Sequence, residues 1–103
     1  MARLNWTDQS ISDLINIADF ISSDSKRYAK ITVGRIRASA KQLKIHPYCG
    51  RLVPETDINT LRELIIGNYR LIYCLISSDQ IDILTVHHSA KRLDTDELRK
   101  HTR

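Results

Sequence analysis

Glycine, proline and cysteine are scarce in this chain of 103 residues: three, two and two respectively. Scattered glycines exclude a Gly-rich phosphate loop. Cys49 and Cys74 lie far apart, with Cys74 inside a strand-like run, so a disulfide between them is the lesser alternative. They read as a reduced, cytoplasmic chain with one buried thiol. No HExxH or CxxC spacing joins the cysteines to the four histidines, and adjacent His87 and His88 would point to opposite faces of a strand. No metal and no cofactor are expected. No apolar run approaches the roughly 20 residues of a membrane span, and MARLNWTDQS lacks the apolar core of a secretory signal. No membrane partner is expected. Acid is missing too: between Lys26 and Ile45 there is not one Asp or Glu.

What remains is one domain, residues 1–103, of ordinary apolar content (42%) and a net charge of +4, which favours an acidic partner. The stretch Leu61–Leu93 reads as three strands joined by Gly67-Asn68 and Ser78-Asp79. Two-residue loops pair Ile66 with Tyr69 and Ser77 with Gln80. Counting outward in twos assigns Arg62, Leu64, Ile66, Tyr69, Leu71, Tyr73, Leu75, Asp82, Leu84, Val86 and His88 to one face. The second face takes Leu61, Glu63, Ile65, Arg70, Ile72, Cys74, Ile76, Ile81, Ile83, Thr85 and His87. Neither face is polar throughout, so both need cover.

Upstream, Arg3 to Trp6 reads as a short edge strand. Thr7 is placed as the N-cap of a helix over about Asp8–Ser22, whose core stripe is Ile11, Leu14, Ile15, Ala18 and Ile21. Ile17 and Phe20 lie off that stripe. A second helix runs from about Ser25 to Ile45, stopped by Pro47, with Ala29, Val33, Ile36, Ala40 and Leu43 inward. Gly34 in its interior suggests close helix–helix approach. Lys26, Lys30, Arg37, Lys41 and Lys44 form a second stripe, either a solvated face or a docking surface for an acidic partner. After Leu93 a helical turn or fraying end is expected. The order β-α-α-β-β-β predicts an α+β fold, a small antiparallel sheet with an α-hairpin on one face. The second face is expected to stay partly open, and an open apolar patch marks a partner site.

One catalytic option is visible. Cutting RNA at a 2′-hydroxyl calls for an acid or base near neutral pKa and a cation for the developing charge. Glu55, Arg62, Arg70, His87 and His88 are of the right types, but the counted register puts Arg70 and His87 on one face and Arg62 and His88 on the other. The structural alternative is that Arg62 and Arg70 pair with Glu63, Asp82 or Glu55 and that His88 caps the sheet end.

Trp6 with the acid-studded first helix (Asp13-Leu14, Ile17, Asp19-Phe20-Ile21) resembles the RelE/ParE toxin superfamily. So do the runs His46–Glu55 (HPYCGRLVPE), Leu61-Arg62-Glu63-Leu64, Tyr69–Tyr73 (YRLIY) and Ile83–Val86 leading to His88. The likeness covers nearly the whole chain and is stronger to the ParE branch. It implies the β-α-α-β-β-β fold and a toxin of a bacterial type II toxin–antitoxin system. A cognate antitoxin would wrap it with a C-terminal segment, a folding-upon-binding mode. Ile17, Phe20, Ile65, Ile72, Cys74 and Ile83 are the apolar residues expected to meet that segment. ParE-like members bind DNA gyrase and stall it with DNA cleaved, and Arg62, Arg70, His88, Lys91 and Arg92 are then the expected target contacts. RelE-like members cut mRNA on the ribosome, and Glu55, Arg70 and His88 would match that site, Glu55 more loosely. No tyrosine follows Tyr73, and Ser89-Ala90 follows His88, departures from the nuclease pattern. The gyrase poison is therefore the leading expectation.

Overall fold

The structure is a computed structural model and describes residues 1–89 and 93–102. Its elements are β1 (Arg3–Trp6), α1 (Asp8–Ser22), α2 (Lys26–Lys41) with a 3-10 turn at Gln42–Lys44, β2 (Arg51–Leu52), β3 (Leu61–Ile66), β4 (Tyr69–Ser77), β5 (Gln80–His88) and α3 (Thr95–Thr102). The sheet order is β1-β5-β4-β3-β2. β1 runs parallel to β5 and the other pairs are antiparallel, so the α+β sheet is mixed rather than purely antiparallel. β1 and β5 are the first and last strands in sequence, so the parallel pair is closed by a long connection through both helices and the three intervening strands, as parallel pairing requires.

Thr7 caps α1 as expected, its Oγ1 accepting from Ser10 N at 3.2 Å. The same hydroxyl lies 2.8 Å from Ile83 O, where it donates, so the cap also stitches the helix start to β5. α1 is tied down a second time where β1 ends and leaves the edge of β5 bare. Asp13 Oδ2 there accepts from Val86 N at 3.0 Å and Thr85 Oγ1 at 2.6 Å. Ser25 caps α2, and Ala29, Ile36, Ala40 and Leu43 of the expected stripe are buried. Gly34 is a correction: a Cβ there would meet nothing within 4 Å, so it marks no close helix approach.

The two hairpins diverge from simple counting in an instructive way. Gly67, at φ +59° with no positive φ at Asn68, gives the arrangement of a II′ turn, and β3–β4 pair as counted from Ile66↔Tyr69 to Leu61↔Cys74. The Ser78-Asp79 turn contains no positive φ, so it cannot be a primed turn matching the strand twist. β4 absorbs the mismatch at Ile76, which is left unpaired between Leu75↔Ile81 and Ser77↔Gln80, and Leu84 restores the register on β5. Between these irregularities the side chains exchange faces. Ile81 and Ile83 join Ile36, Leu43, Leu71, Tyr73 and Val86 in the core beneath the helices. Asp82 and Leu84 turn to the other side.

That other side is largely covered, and only Ile65 and Ile76 of its counted apolar residues stay exposed. Leu61, Ile72, Cys74 and Leu84 pack with Val53 from the loop after β2 and Leu98 from α3, flanked by Ile58 and Leu93. An eight-residue helix is too short to hold its shape alone. α3 is anchored by Leu98, whose burial contributes about 2 kcal/mol, and by His101 Nε2, 2.8 Å from Asp82 Oδ2. The tail expected to fray is thus the cover of the second face.

Candidate functional site

Four charged side chains converge on the covered face of the sheet. Arg70 is the second residue of β4 and pairs with Ile65, two residues along β3 from Glu63 and on the same face, while Arg51 of β2 pairs with Glu63. Arg70 Nε donates to Glu63 Oε1 at 2.8 Å, and its two terminal nitrogens donate to Glu55 Oε2 and Oε1 at 2.6 and 2.8 Å. Arg51 binds the remaining Glu63 oxygen, so a carboxylate with no solvent exposure has a partner at each oxygen. Fork-to-fork pairing of this kind is the strong form of an ion pair. The hydrogen bonds from Arg70 hold the Glu55 carboxyl below its ordinary range, and Glu55 in turn raises the Arg70 pKa further.

The sequence set Arg62, Arg70, His88, Lys91 and Arg92 is not brought together. Arg70 is engaged as described. Arg62 stands opposite Tyr73, its Nη1 donating to Gly50 O at 2.8 Å and its guanidinium 5.1 Å from the Tyr48 ring. His88 lies opposite Tyr69 in an edge-to-face contact at 5.8 Å. Four β4 residues, about 13 Å, separate the two positions along the strand. Lys91 and Arg92 lie outside the described residues. Of the nuclease types, Glu55 and Arg70 are locked together while His88 sits apart on the other face. Burial pushes the Tyr73 phenol up to about 12, and it donates to Pro47 O at 2.8 Å. Arg70, Glu55 and Tyr73 are thus each removed from proton transfer or charge stabilisation near neutral pH.

The apolar set divides as well. Ile72, Cys74 and Ile83 are buried by the chain itself, Ile83 because the register change carries it into the helix-side core. Ile17 is half-buried against that core. Phe20 and Ile65 remain open, at 80% and 51% exposure.

Counting missed a groove along the helical hairpin. Trp6, Leu14, Ala18 and Val33 line a depression of about 420 Å³ whose rim holds Ile11 and Ile15, 45% and 55% exposed, and Arg37. Both isoleucines belong to the stripe predicted to be core. Only Ser10 of α1 is fully buried, so this helix covers the sheet with one edge and leaves its apolar shoulder in water. The groove continues past Ala18 and Val33 between Asp19 and Ser22 of α1 and Lys26, Lys30 and Arg37 of α2. The available signal was an apolar arc on α1 too broad for one sheet contact. Among the described residues, no three His, Cys, Asp or Glu side chains converge as metal ligands.

A comparison with curated protein sequences gives no match. A solved structure described as "Chromosomal ParDE TA system from P. aeruginosa" aligns with a TM-score of 0.70 at 22% identity, over 85% of this chain and 96% of that chain. At that identity the likeness establishes the fold. The family model for "ParE toxin of type II toxin-antitoxin system, parDE" matches residues 4–93. With 90 of 103 residues inside that match, the chain belongs to the ParE toxin family of type II toxin–antitoxin systems.

Proposed function

We propose that this toxin acts in the cytoplasm on DNA gyrase, stabilising the complex in which DNA is cleaved, and that a cognate antitoxin neutralises it. Family membership supplies the class. The observation that favours a protein-directed poison over ribosome-dependent mRNA cleavage is the pairing of Arg70 with Glu55 and Glu63. A ribonuclease needs that cation aimed at a phosphorane, and here two carboxylates already occupy it.

The antitoxin segment lies in the α1–α2 groove. Exposed Ile11 and Ile15 offer apolar anchors, and Lys26, Lys30 and Arg37 give one wall a positive charge. An amphipathic segment with an acidic edge fits both, the helix-in-groove mode of recognition. The test of the target is incubation of purified toxin with gyrase, plasmid and ATP. Loss of supercoiling with accumulating linear DNA is expected. Unchanged supercoiling together with cleavage of ribosome-bound mRNA overturns the reading.

A further inference from the structure

We infer that the cleft between β1 and the C-terminal half of α2 binds the phosphate backbone of duplex DNA. Arg3, Arg37, Lys41 and Lys44 line this cleft of about 770 Å³, and no carboxylate lines it. Ala2 N donates to Lys44 O at 3.0 Å, fixing the start of β1 against the end of the helix and setting Arg3 beside Lys44.

None of the four cations has an ion-pair partner among the described residues, and Arg3 donates only to the neutral Gln80 Oε1 at 3.2 Å. For Arg37, Lys41 and Lys44 relief is absent in sequence as well, because no Asp or Glu occurs from Ser25 to Pro54, while Arg3 N donates to the backbone of Asp79 at 2.8 Å. Like charges held in a concavity repel one another and focus a positive potential outward, where it concentrates anions.

The spacing suits a ladder of anions rather than one. From Arg37 to Lys44 the helix rises about 10 Å, and one DNA strand presents a phosphate every 3.4 Å or so along the duplex axis. Three helix cations therefore face about three consecutive phosphates, and Arg3 extends the row from the strand. The chemistry of the floor separates this cleft from the neighbouring groove. Trp6 and Arg37 are shared between the two, but the cleft adds Arg3, Lys41 and Lys44 beside half-buried Leu4 and exposed Met1, whereas the groove adds exposed Ile11 and Ile15. A phosphodiester backbone needs no apolar anchor, and its evenly repeated charge matches a row of cations on helix and strand. The choice of DNA over RNA rests on the gyrase reading above. In that reading the face gives the toxin its own hold on the DNA that its target has cleaved.

The experiment is fluorescence anisotropy of a labelled duplex of about 20 base pairs with the purified full-length toxin, stepped from about 50 to about 200 mM salt. Gyrase is not in the tube, so this result and the supercoiling result fail independently. Binding is expected, with log K falling against log salt at a slope of about −3 to −4, the value for four phosphate contacts. Arg37→Glu/Lys41→Glu is expected to weaken binding about tenfold or more and to reduce the slope to about −2. Arg99→Glu/Lys100→Glu on α3 makes the same change in net charge and is expected to bind like the parent. Circular dichroism checks the fold, and Arg37→Gln/Lys41→Gln repeats the loss with a milder change. Equal weakening by the α3 variant assigns the attraction to net charge and overturns the proposal. So does failure to bind at the lowest salt. Capture of polyglutamate but not of duplex overturns it in favour of an acidic protein partner.

Discussion

Arg70 and Glu55 meet through two hydrogen bonds of 2.6 and 2.8 Å, and the same guanidinium reaches back to the fully buried Glu63. One arginine thus joins the loop after β2 to the centre of the sheet. Removing it leaves Glu63 in a low-dielectric site with Arg51 alone, and that partner is mostly exposed. Arg70→Ala is expected to lower unfolding free energy by about 3 kcal/mol, the cost of breaking a buried pair from one side. Arg70→Lys is expected to recover only part of it, because an ammonium cannot hold two carboxylates in a fork. Denaturant titration measures both. A loss below about 1 kcal/mol for the alanine variant would mean that Arg51 is sufficient. A toxicity defect in Arg70→Ala must therefore be read beside its stability.

Gly34 and Gly50 are expected to respond to alanine in opposite directions. Nothing lies within 4 Å of a Cβ built at Gly34, which sits exposed inside α2. Gly34→Ala should stabilise by about 1 kcal/mol through helix propensity. A Cβ at Gly50 would stand 2.6 Å from Glu63 O and 2.6 Å from Tyr73 Oη, and Gly50 N donates to that hydroxyl at 3.0 Å. The contacts are backbone and a buried ring, which cannot swing aside. Gly50→Ala should cost about 2 kcal/mol or more. Thermal melts of the two variants moving in the same direction would contradict this assignment.

Those glycines show where the sequence was legible and where it was not. Local signals carried far: Thr7 as a cap, Ser25 as the start of the second helix, and Gly67-Asn68 as a turn that pins β3 against β4; the second α-helix, expected to reach Ile45, gives way to a 3-10 turn after Lys41. The β4–β5 register could not be counted, because Ser78-Asp79 has the look of a hairpin loop without a residue at positive φ. The resulting bulge exchanges Asp82 and Leu84 for Ile81 and Ile83, a change that composition along a strand does not announce. α3 was obscure for another reason. Leu98 is a lone buried apolar residue in a polar tail, and its partners lie on strands distant in sequence. The Glu55–Arg70 bond was one of several pairings open to Arg62 and Arg70 in the sequence, and only the fold selects it. The helix groove was half legible: the surplus of apolar residues was plain, but counting spread it across the sheet, where the chain covers itself.

The carboxylates give the fold an acid limit. Hydrogen bonds from Arg70 hold Glu55 below its ordinary 4.5, against a smaller upward push from burial. Burial pushes Asp82 up, but hydrogen bonds with Gln80, His101 and Asn5 outweigh it and bring the carboxyl below its ordinary 3.8. A carboxylate with a lowered folded-state pKa contributes stability that is fully present above its unfolded value and is lost as pH falls through the folded one. The melting temperature should therefore begin to fall near pH 4.5, with Asp82 adding to the loss below 3.8. Glu55→Gln should melt lower at pH 7 and lose less on acidification. A parallel downward shift at every pH would remove Glu55 from the account.

Ile15 and Ile65 are similarly exposed, at 55% and 51%, yet they lie on different surfaces, the α1–α2 groove and the sheet. Each can be replaced by serine at a stability cost near 0.5 kcal/mol or less, since neither fills the core. Binding should separate them. If the antitoxin segment occupies the groove, Ile15 is one of its anchors, and Ile15→Ser should weaken the complex about thirtyfold, the scale of a 2 kcal/mol contact. Ile65→Ser should leave the affinity within about twofold, because that side chain faces away from the groove. Calorimetric titration with the cognate antitoxin reads both. The reverse ranking would put the segment across the sheet, where simple strand counting first placed it, and would leave the exposed shoulder of α1 to another partner.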